Sequence, residues 1–203
     1  MNPPVSRPFR GVSALDRRQN RRRQLVEAAF AIVGSEGTAH LNVGEVCGVA
    51  GLTKRYFYES FASMDELGAA VVDFAIGRMV ERTEPFQPGK PGGSVHAAIK
   101  AFVEALLDDG RLARVLITET QAGALSRFRG SIVEVGVASL LPIDRLAETA
   151  TIDRRRFVAY AQMGALGEIC VAWHQGSMAM GREELVDGLV DLFAQIARTF
   201  DGV

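Results

Sequence analysis

Two short helical segments separated by a glycine constrain the fold of this chain more than any other feature. They occupy residues 42–61, NVGEVCGVAGLTKRYFYESF. The first residue, Asn42, is a favourable helix N-cap, and Glu45 lies three residues later, where its carboxylate can complete a capping box. Gly51 breaks the first helix, and Thr53 can cap the second, which ends near residue 61. The segment therefore predicts two short helices joined by a tight turn, which is the helix-turn-helix unit.

Helical periodicity continues through the rest of the chain. Residues 18–35 repeat apolar positions at intervals of three and four, and Gly37 is suited to end that helix. Ser63, followed three residues later by Glu66, marks the start of a helix over residues 64–82. Further helices are expected at about 94–108, 111–120, 122–139, 153–175 and 182–200. No alternating segment of useful length occurs, so the pattern predicts an all-α fold.

Composition divides the chain into three parts. Residues 1–16 contain three prolines and no period, which predicts a disordered tail. Residues 17–63 form the predicted helix-turn-helix domain of three helices, and residues 64–203 form a larger C-terminal helical domain. Within this larger part, residues 84–93 are the clearest break, with three prolines and three glycines.

Charge is distributed unevenly along the chain. The whole sequence carries 23 Lys and Arg residues and 24 Asp and Glu residues. Residues 1–60 hold nine of the basic and five of the acidic residues, so their net charge is +4 and that of the remainder is −5. This asymmetry predicts a polyanionic partner at the N-terminal end, although a solvated run of charges has the same composition.

Composition also indicates the cellular compartment. Cys47 and Cys170 are far apart and belong to no CxxC motif, which is typical of buried thiols in a reducing compartment. No uncharged apolar run reaches the length of about 18 residues that a membrane span requires. No apolar segment follows the basic N-terminus, as it would in a secretory signal. These features predict a cytoplasmic protein without a membrane partner.

The second short helix combines aromatic and cationic side chains. Phe57 and Phe61, four residues apart, can share its inward face. The second helix of a helix-turn-helix enters the major groove of DNA, where an arginine could bind a guanine and tyrosines could contact phosphates. An aromatic core helix with solvated cations is the alternative. The side chains that remain for the outer face are Lys54, Arg55, Tyr56 and Tyr58.

Five arginines cluster at the start of the first helix. A helix N-terminus favours acidic residues, so cations at this position indicate another requirement. Contacts with phosphates or with the minor groove, as in other basic N-terminal arms, would supply it. Solvated residues of a basic tail are the alternative. The five residues are Arg17, Arg18, Arg21, Arg22 and Arg23.

These features together resemble the N-terminal domain of the TetR family of transcriptional regulators. The resemblance covers RQLVEAAFAIVGSEGTAHLNVGEVCGVAGLTKRYFYESFASMDEL, with its alanine pair, Gly37, NVGEV, AGLT, the aromatic helix and the S-x-x-E-L that opens the fourth helix. It implies a homodimeric DNA-binding regulator, usually a repressor that a small molecule releases from its operator, which is palindromic. The residues that would then contact the operator are Asn42, Thr53, Lys54, Arg55, Tyr56 and Tyr58.

Some positions depart from the family pattern. Gly44 and Gly48 stand where longer polar residues are common, and each glycine costs about 1 kcal/mol relative to alanine inside a helix. Met64 replaces a frequent lysine, and Glu59 would repel DNA if it faced the backbone. The arginine cluster is therefore expected to carry more of the DNA affinity than is usual in the family.

The larger half is expected to dimerise and to bind a small apolar molecule. Its last helix carries a broad apolar stripe and the preceding helix carries small residues, which resembles the dimer interface of the family. The predicted interface residues are Ala161, Gly164, Ala165, Leu185, Leu189, Leu192, Phe193 and Ile196. The predicted lining of an apolar pocket is Phe102, Leu106, Leu116, Phe128, Tyr160, Met163 and Trp173. Ordinary core packing is the alternative for both sets.

Other functional classes have less support. The sequence contains no GxSxG, Walker loop, HExxH or clustered Cys and His residues, so no enzyme, cofactor or metal site is predicted. A regulator gated by a protein partner, or one without an effector, has the same sequence features as a ligand-gated one. A cavity in the larger half would favour a ligand, whereas a filled core would favour a partner. A ligand is expected to act by tilting the fourth helix, which connects the domains.

Overall fold

The computed structural model describes residues 13–121, 123–140 and 151–201, and every regular element within them is helical. The α-helices are α1 (Ala14–Glu36), α2 (Val43–Ala50), α3 (Lys54–Ser60), α4 (Met64–Thr83), α5 (Val95–Asp108), α6 (Gly110–Ala113), α7 (Glu119–Gln121), α8 (Arg129–Leu140), α9 (Ile152–His174) and α10 (Arg182–Asp201). A π-helical turn, Arg114–Thr118, joins α6 to α7, and 3-10 turns lie at Thr38–His40, Glu84–Phe86 and Ser126–Phe128. The predicted all-α fold is confirmed.

The first helix begins earlier than its apolar period indicates. The hydroxyl of Ser13 accepts a hydrogen bond from the backbone N–H of Asp16 (3.0 Å), whose carboxylate accepts one from the backbone N–H of Ser13 (3.1 Å). This reciprocal cap starts α1 at Ala14, inside the segment 1–16 that was predicted to be disordered, of which residues 1–12 lie outside the described part. The helix ends at Gly37, whose φ of 90° is a conformation that other residues rarely adopt.

Helices α2 and α3 form the predicted helix-turn-helix. The side chain of Asn42 accepts a hydrogen bond from the backbone N–H of Glu45 at 3.0 Å and so caps α2. Gly51 ends α2 in the left-handed conformation, with a φ of 64°. Thr53 occupies the N-cap position of α3, but its side chain makes no capping hydrogen bond, so that part of the prediction is wrong.

Helix α1 is the platform on which the two short helices pack. Leu25, Ala29 and Val33 of α1 are fully buried, as are Val46 of α2 and Phe57 of α3. Isolated helices as short as α2 and α3 are unstable in water. Their stability therefore depends on this burial, which contributes about 1.5–3 kcal/mol for each large apolar side chain.

Helix α4 joins the two parts of the molecule. It begins after Ser63, whose hydroxyl accepts a hydrogen bond from the backbone N–H of Glu66 (3.2 Å). The Glu66 carboxylate accepts a hydrogen bond from the backbone N–H of Ala62 (2.8 Å). Because α4 packs against α1 on one side and α5 on the other, one hydrophobic core runs from the helix-turn-helix into the larger half.

The larger half departs from the predicted helices in its middle section. Helices α5, α9 and α10 have nearly the predicted bounds, and the segment 110–121 is helical with a π-helical turn at its centre. Helix α8 begins at Arg129 and not at residue 122. The reason is a pair of tight turns, in which the backbone N–H groups of Ser126 and Phe128 donate to the carbonyls of Gly123 and Leu125.

Candidate nucleic-acid interface and internal cavity

Helix α3 has one buried and one exposed side. Phe57 and Phe61 are 0% and 2% exposed and face the core. Tyr58 is 65% exposed, and Lys54 and Arg55 are exposed as well. The helix therefore presents cations and a tyrosine to solvent, as its amphipathic pattern indicates.

The two tyrosines of α3 differ in their surroundings. Tyr56 is half-buried because the guanidinium of Arg21 lies over its ring, 4.5 Å from the ring centroid. Tyr58 contacts the ring of Phe57 edge-on, with 5.4 Å between the centroids. The core thus orients the Tyr58 ring while most of that side chain remains accessible.

Arg22 fastens the start of α1 to the end of α3. Its Nη1 donates to the carbonyl of Ser60 at 2.6 Å and to the carboxylate of Glu66 at 3.1 Å. Its guanidinium also lies 4.0 Å from the centroid of the Phe61 ring. The carbonyls in the last turn of a helix have no partner within that helix, so this bond satisfies one of them.

Arg18 and Arg21 contact α3 through Glu59. Arg18 Nη2 donates to the carbonyl of Glu59 at 2.8 Å, and Arg21 lies 3.9 Å from its carboxylate. Arg55, one turn earlier on α3, donates to the same carboxylate at 2.9 Å. This hydrogen bond raises the pKa of the Arg55 guanidinium above its ordinary value. The Glu59 carboxylate, which would repel DNA if it faced the backbone, is therefore held between two cations, Arg21 and Arg55.

Arg17 and Arg23 are the remaining members of the arginine cluster. The Arg23 side chain is 68% exposed, and its contacts are local: Nη2 donates to the Asn20 side chain at 2.9 Å, and Nε lies 3.8 Å from the Glu27 carboxylate. Arg17 is half-buried in the first turn of α1. The cluster is therefore helical, and its other three members contribute to the packing of the folded domain. A DNA contact by any of the five stays a prediction.

A cavity of about 160 Å³ lies in the larger half. It is bordered by α4, α5, the π-helical turn, α8 and α9, is partly open to solvent, and has mostly apolar walls. An apolar cavity of about 150 Å³ can hold a molecule such as benzene. The cavity is therefore large enough for a small molecule. Its walls include Ile76, Ile99, Phe102, Leu116, Ile132 and Met163.

Three of the seven predicted pocket residues, Phe102, Leu116 and Met163, line this cavity. Leu106 and Trp173 line a separate space of about 30 Å³. Each lies at least one turn nearer the C-terminal end of its helix than the residues around the larger cavity, so neither lines that cavity, and a ligand contact by either stays a prediction.

Phe128 and Tyr160 also lie outside the cavity wall. Phe128 packs over Gly68 of α4, where a β-carbon would lie 3.4 Å from the ring. Tyr160 is 42% exposed on α9, and its hydroxyl donates to the carboxylate of Glu134. Both predictions are wrong because the apolar period did not show which side of α9 faces inward or where α8 begins. The lining residues Arg129, Ile132 and Gly136 were not predicted. Their spacing along one face of α8 could have indicated them, but the helix was predicted to begin at residue 122.

Hydrogen bonds connect the cavity wall to the N-terminal domain. Leu116 faces the cavity from the π-helical turn. On one side of it, Arg114 Nη1 donates to the carbonyl of Ser35 at the end of α1 (2.7 Å). On the other side, the buried Glu119 carboxylate accepts a hydrogen bond from the Thr38 hydroxyl (2.6 Å). A displacement of this wall would therefore move or break these hydrogen bonds at the junction between α1 and α2.

The predicted dimer interface is divided between the core and the surface. Leu185, Leu189 and Phe193 are 1–3% exposed and pack inside the chain, where α10 meets α5 and α9, so the prediction is wrong for these three. The α10 stripe is broad because one part of it faces this core and one edge remains at the surface. The predicted residues that keep some exposure are Ala161, Gly164, Ala165, Leu192 and Ile196.

Two other kinds of site are absent from residues 13–121, 123–140 and 151–201. No three His, Cys, Asp or Glu side chains converge there as metal ligands would. No helix in these ranges has the length and apolar character that crossing a membrane requires. Both cysteines are buried, unpaired thiols, and burial raises the pKa of Cys170 to about 12.

No family model matches the chain, but solved structures share its architecture over most of its length. A tetR-family transcriptional regulator from Streptomyces coelicolor is 16% identical, with a TM-score of 0.67 over 88% of this chain and 80% of that one. The fatty acid degradation regulator FadR from Bacillus halodurans is 17% identical, with a TM-score of 0.62 over 85% of this chain and 94% of that one. The multidrug binding protein EbrR, complexed with imidazole, is 20% identical, with a TM-score of 0.60 and the same coverages. At these identities the likeness shows a shared fold.

Proposed function

We propose that this chain, which has the fold of the TetR-family transcriptional regulators, is a DNA-binding regulator of transcription in the cytoplasm. The observation that carries the proposal is the exposed face of α3, where Lys54, Arg55 and Tyr58 project from a helix whose other side is fixed in the core. In a helix-turn-helix this is the side that enters the major groove. The proposal includes no catalytic activity, because the proteins of similar fold are transcriptional regulators.

The exposed residues of α3 suit different contacts with DNA. The Lys54 ammonium suits a phosphate, and Tyr58 can donate to a phosphate while its ring packs against sugar or a thymine methyl. Arg55 binds Glu59 through Nε, so its Nη groups can still form a bidentate contact with guanine, worth about 1–3 kcal/mol of discrimination. Outside α3, Asn42 is exposed at the start of α2 and suits a phosphate contact.

The remaining predicted DNA contacts fall into two groups. Arg17, Arg23 and Thr53 are proposed as phosphate contacts at the rim of the interface. The other four are proposed to act chiefly by positioning α3, because each one packs or bonds within the domain. They are Arg18, Arg21, Arg22 and Tyr56.

The regulator is proposed to bind a palindromic operator as a homodimer. The two recognition helices of such a dimer must lie about 34–36 Å apart, or a multiple of that, to reach successive major grooves on one face of DNA. The half-exposed Leu192 and Ile196 on α10 and the small residues Ala161, Gly164 and Ala165 on α9 support an interface built from these two helices. Small residues allow the close approach that helix packing between subunits needs.

The dimer is tested by changing the edge of α10. We expect Leu192→Glu with Ile196→Glu to give monomers, because two buried like charges would meet across the interface. Ala194→Glu, at an exposed position on the opposite side of the same helix, is the matched control and should leave the dimer intact. Size-exclusion chromatography with light scattering measures the mass. A wild-type monomer, or a double variant that remains dimeric with unchanged affinity, would contradict the proposed interface.

DNA binding is tested first by footprinting the purified protein on genomic DNA, which gives the operator. Fluorescence anisotropy then measures the affinity of variants for that operator. We expect Lys54→Ala with Tyr58→Ala to weaken binding at least tenfold, since each lost direct contact costs about 1 kcal/mol or more. Lys90→Ala, which removes an exposed lysine of the loop before α5, should bind as the wild type does. Equal affinities for the double variant and the wild type would refute the assignment of the DNA-binding face.

The regulator is proposed to be a repressor that a small molecule in the cavity releases from DNA. The cavity is walled by α4, which leads directly from the helix-turn-helix, and by the π-helical turn, which bonds to Ser35 and Thr38. Movement of either wall would change the spacing between the two α3 helices of a dimer. The ligand must bind the DNA-incompetent state about 10²–10⁴ times more tightly to shift the population substantially.

The cavity favours this version over a regulator gated by a protein partner or one without an effector, for which a filled core is expected. Of the proteins of similar fold, EbrR is described as a multidrug binding protein complexed with imidazole, which supports a small-molecule effector here. Adding the effector to the protein–operator complex should lower the anisotropy of labelled DNA. Gly167→Leu, at a position where a β-carbon would meet no atom within 4 Å, should fill the cavity and abolish this response.

A further inference from the structure

We propose that the effector is a small amphipathic carboxylate, whose apolar body occupies the 160 Å³ cavity and whose negative charge is bound by Arg129. This inference rests on the proposed function, because it names the ligand class of the cavity assigned there to the effector. Three observations carry it: the charge of the lining, the unused donors of Arg129 and the bonding of the neutral polar groups.

The described part of the lining contains one charged group. Among the described residues around the cavity, Arg129 is the single ionisable side chain, and the others are apolar or neutral. It stands in the first turn of α8, whose next inward positions are Ile132, Val133 and Gly136. A cation beside an apolar space, without a carboxylate in the same wall, complements a ligand with one negative charge and an apolar remainder.

Arg129 differs from the neighbouring arginines because its guanidinium N–H groups make no hydrogen bond with another described residue. Arg127, two residues earlier, forms a two-pronged bond with the Asp65 carboxylate at 2.6 and 2.7 Å. Arg156, across from α8, donates to the Glu134 carboxylate at 2.9 Å. Within the described residues Arg129 makes no such ion pair or hydrogen bond. Its planar guanidinium therefore remains free to bind both oxygens of a carboxylate.

The neutral polar groups of the lining offer fewer donors to a ligand. The hydroxyls of Thr83 and Thr120 donate to carbonyls of their own helices, those of Met79 (3.0 Å) and Leu116 (2.7 Å). The amide of Gln121 donates to the carboxylate of Glu168 (3.3 Å). The side-chain amide of Gln87, which makes no hydrogen bond among the described residues, is a further donor but carries no charge, so the charge of an anionic group is left to Arg129.

The size of the cavity limits the apolar body. A space slightly larger than the one that holds benzene accommodates about six to eight carbon atoms. Within that limit, each added methylene should increase affinity about fourfold, since its burial removes apolar surface from water. Longer chains should gain nothing further unless they extend to the surface beside Arg129.

Binding is tested without DNA, by thermal unfolding and titration calorimetry on the full chain. The probes are octanoate, the neutral octanol and the cation octylammonium, which share an apolar body and differ in charge. We expect octanoate to bind about tenfold more tightly than octanol, as a charge-assisted hydrogen bond at a partly exposed site predicts, and octylammonium to bind least. Arg129→Gln should remove the preference for octanoate, and Arg129→Lys should restore part of it.

Two further variants locate the effect. Arg127→Gln removes a nearby cation that does not line the cavity and should keep the preference for octanoate. Gly167→Leu should abolish the binding of all three probes by filling the cavity. Equal affinity for octanoate and octanol, tighter binding of octylammonium, or the same preference in Arg129→Gln and the wild type would overturn the proposal. The proposal would also be overturned if none of the three probes bound.

The outcome is separable from that of the proposed function. Operator binding is measured on the ligand-free protein, so its loss or retention does not depend on the identity of the effector. Retained operator binding without a preference for octanoate would refute the ligand class alone. A preference for octanoate in a chain that binds no operator would refute the regulator and leave the ligand class of the cavity standing.

Discussion

Arg22 and Arg23 are adjacent in sequence but differ in their contacts. Comparing variants of the two residues therefore tests whether an arginine of the cluster stabilises the fold or binds DNA. Arg22 bonds to the carbonyl of Ser60 and the carboxylate of Glu66 and lies over the Phe61 ring. Arg23 is largely exposed, and its contacts with Asn20 and Glu27 are both within α1. We therefore expect Arg22→Ala to destabilise the fold and Arg23→Ala to leave it unchanged.

The size of the difference follows from these contacts. The charged hydrogen bond to the Ser60 carbonyl contributes about 1–2 kcal/mol after allowance for its partial exposure, and the contact with the ring adds about 0.5–1 kcal/mol. The exposed pair of Arg23 with Glu27 contributes about 0–0.5 kcal/mol. With a urea m-value of about 2 kcal/mol/M, Arg22→Ala should lower the unfolding midpoint by about 1 M.

The assay combines urea unfolding, followed by circular dichroism, with the salt dependence of operator binding. Each lost phosphate contact lowers the slope of log affinity against log salt by about one. We expect that reduction for Arg23→Ala and no reduction for Arg22→Ala, measured where both remain folded. If Arg22→Ala keeps the wild-type midpoint and lowers the slope by about one, the intramolecular role of Arg22 is refuted.

Three further outcomes follow from the same structure. Phe57→Ala should destabilise the chain by about 3–5 kcal/mol in urea unfolding, because it empties a fully buried site beneath α3. Burial raises the pKa of Cys170 to about 12 and also raises the pKa of Cys47. Neither thiol should therefore react with a disulfide reagent at pH 8 until urea unfolds the chain. Rapid reaction of the native protein would contradict this. The hydrogen bond from the Ala62 backbone N–H, and then the contact with Arg22, lower the pKa of the Glu66 carboxyl in the folded chain. The stability that Glu66 adds is therefore fully present above its ordinary pKa of 4.5. It is lost as the pH falls through the lower pKa of the folded state. The stability difference between wild type and Glu66→Gln should therefore be full at pH 7 and shrink below pH 4.5, and a difference independent of pH would contradict the assignment.

The helix-turn-helix was the part of the fold most open to prediction, because its determinants are local. The cap at Asn42, the left-handed Gly51 and the pair of inward phenylalanines act within a few residues of one another. The start of α1 was missed although Ser13 and Asp16 have the spacing of a capping box. The prolines before it suggested an irregular segment up to residue 16, whereas the helix begins at Ala14.

The larger half was less predictable, because an apolar stripe does not say what covers it. Leu185, Leu189 and Phe193 belong to a stripe that was assigned to a partner subunit, yet they fill the chain's own core. The same ambiguity placed Tyr160 in a pocket when it lies on the outer side of α9. Which neighbour a helix face meets depends on the packing of distant segments, and one sequence holds no direct record of that packing.

The contact between Thr38 and Glu119 shows why that missing information matters for function. The two residues are 81 positions apart, and a buried carboxylate is costly unless it is bonded, so Glu119 depends on the Thr38 hydroxyl and on Arg114, 3.9 Å away. Glu119 directly follows the π-helical turn that carries Leu116 to the cavity wall, and such turns are places where a helix can change its register. A change of register there must either carry Thr38, and with it the end of α1, or break the bond. The cavity is thus connected to the end of α1, which precedes the helix-turn-helix, by a route that does not pass through α4.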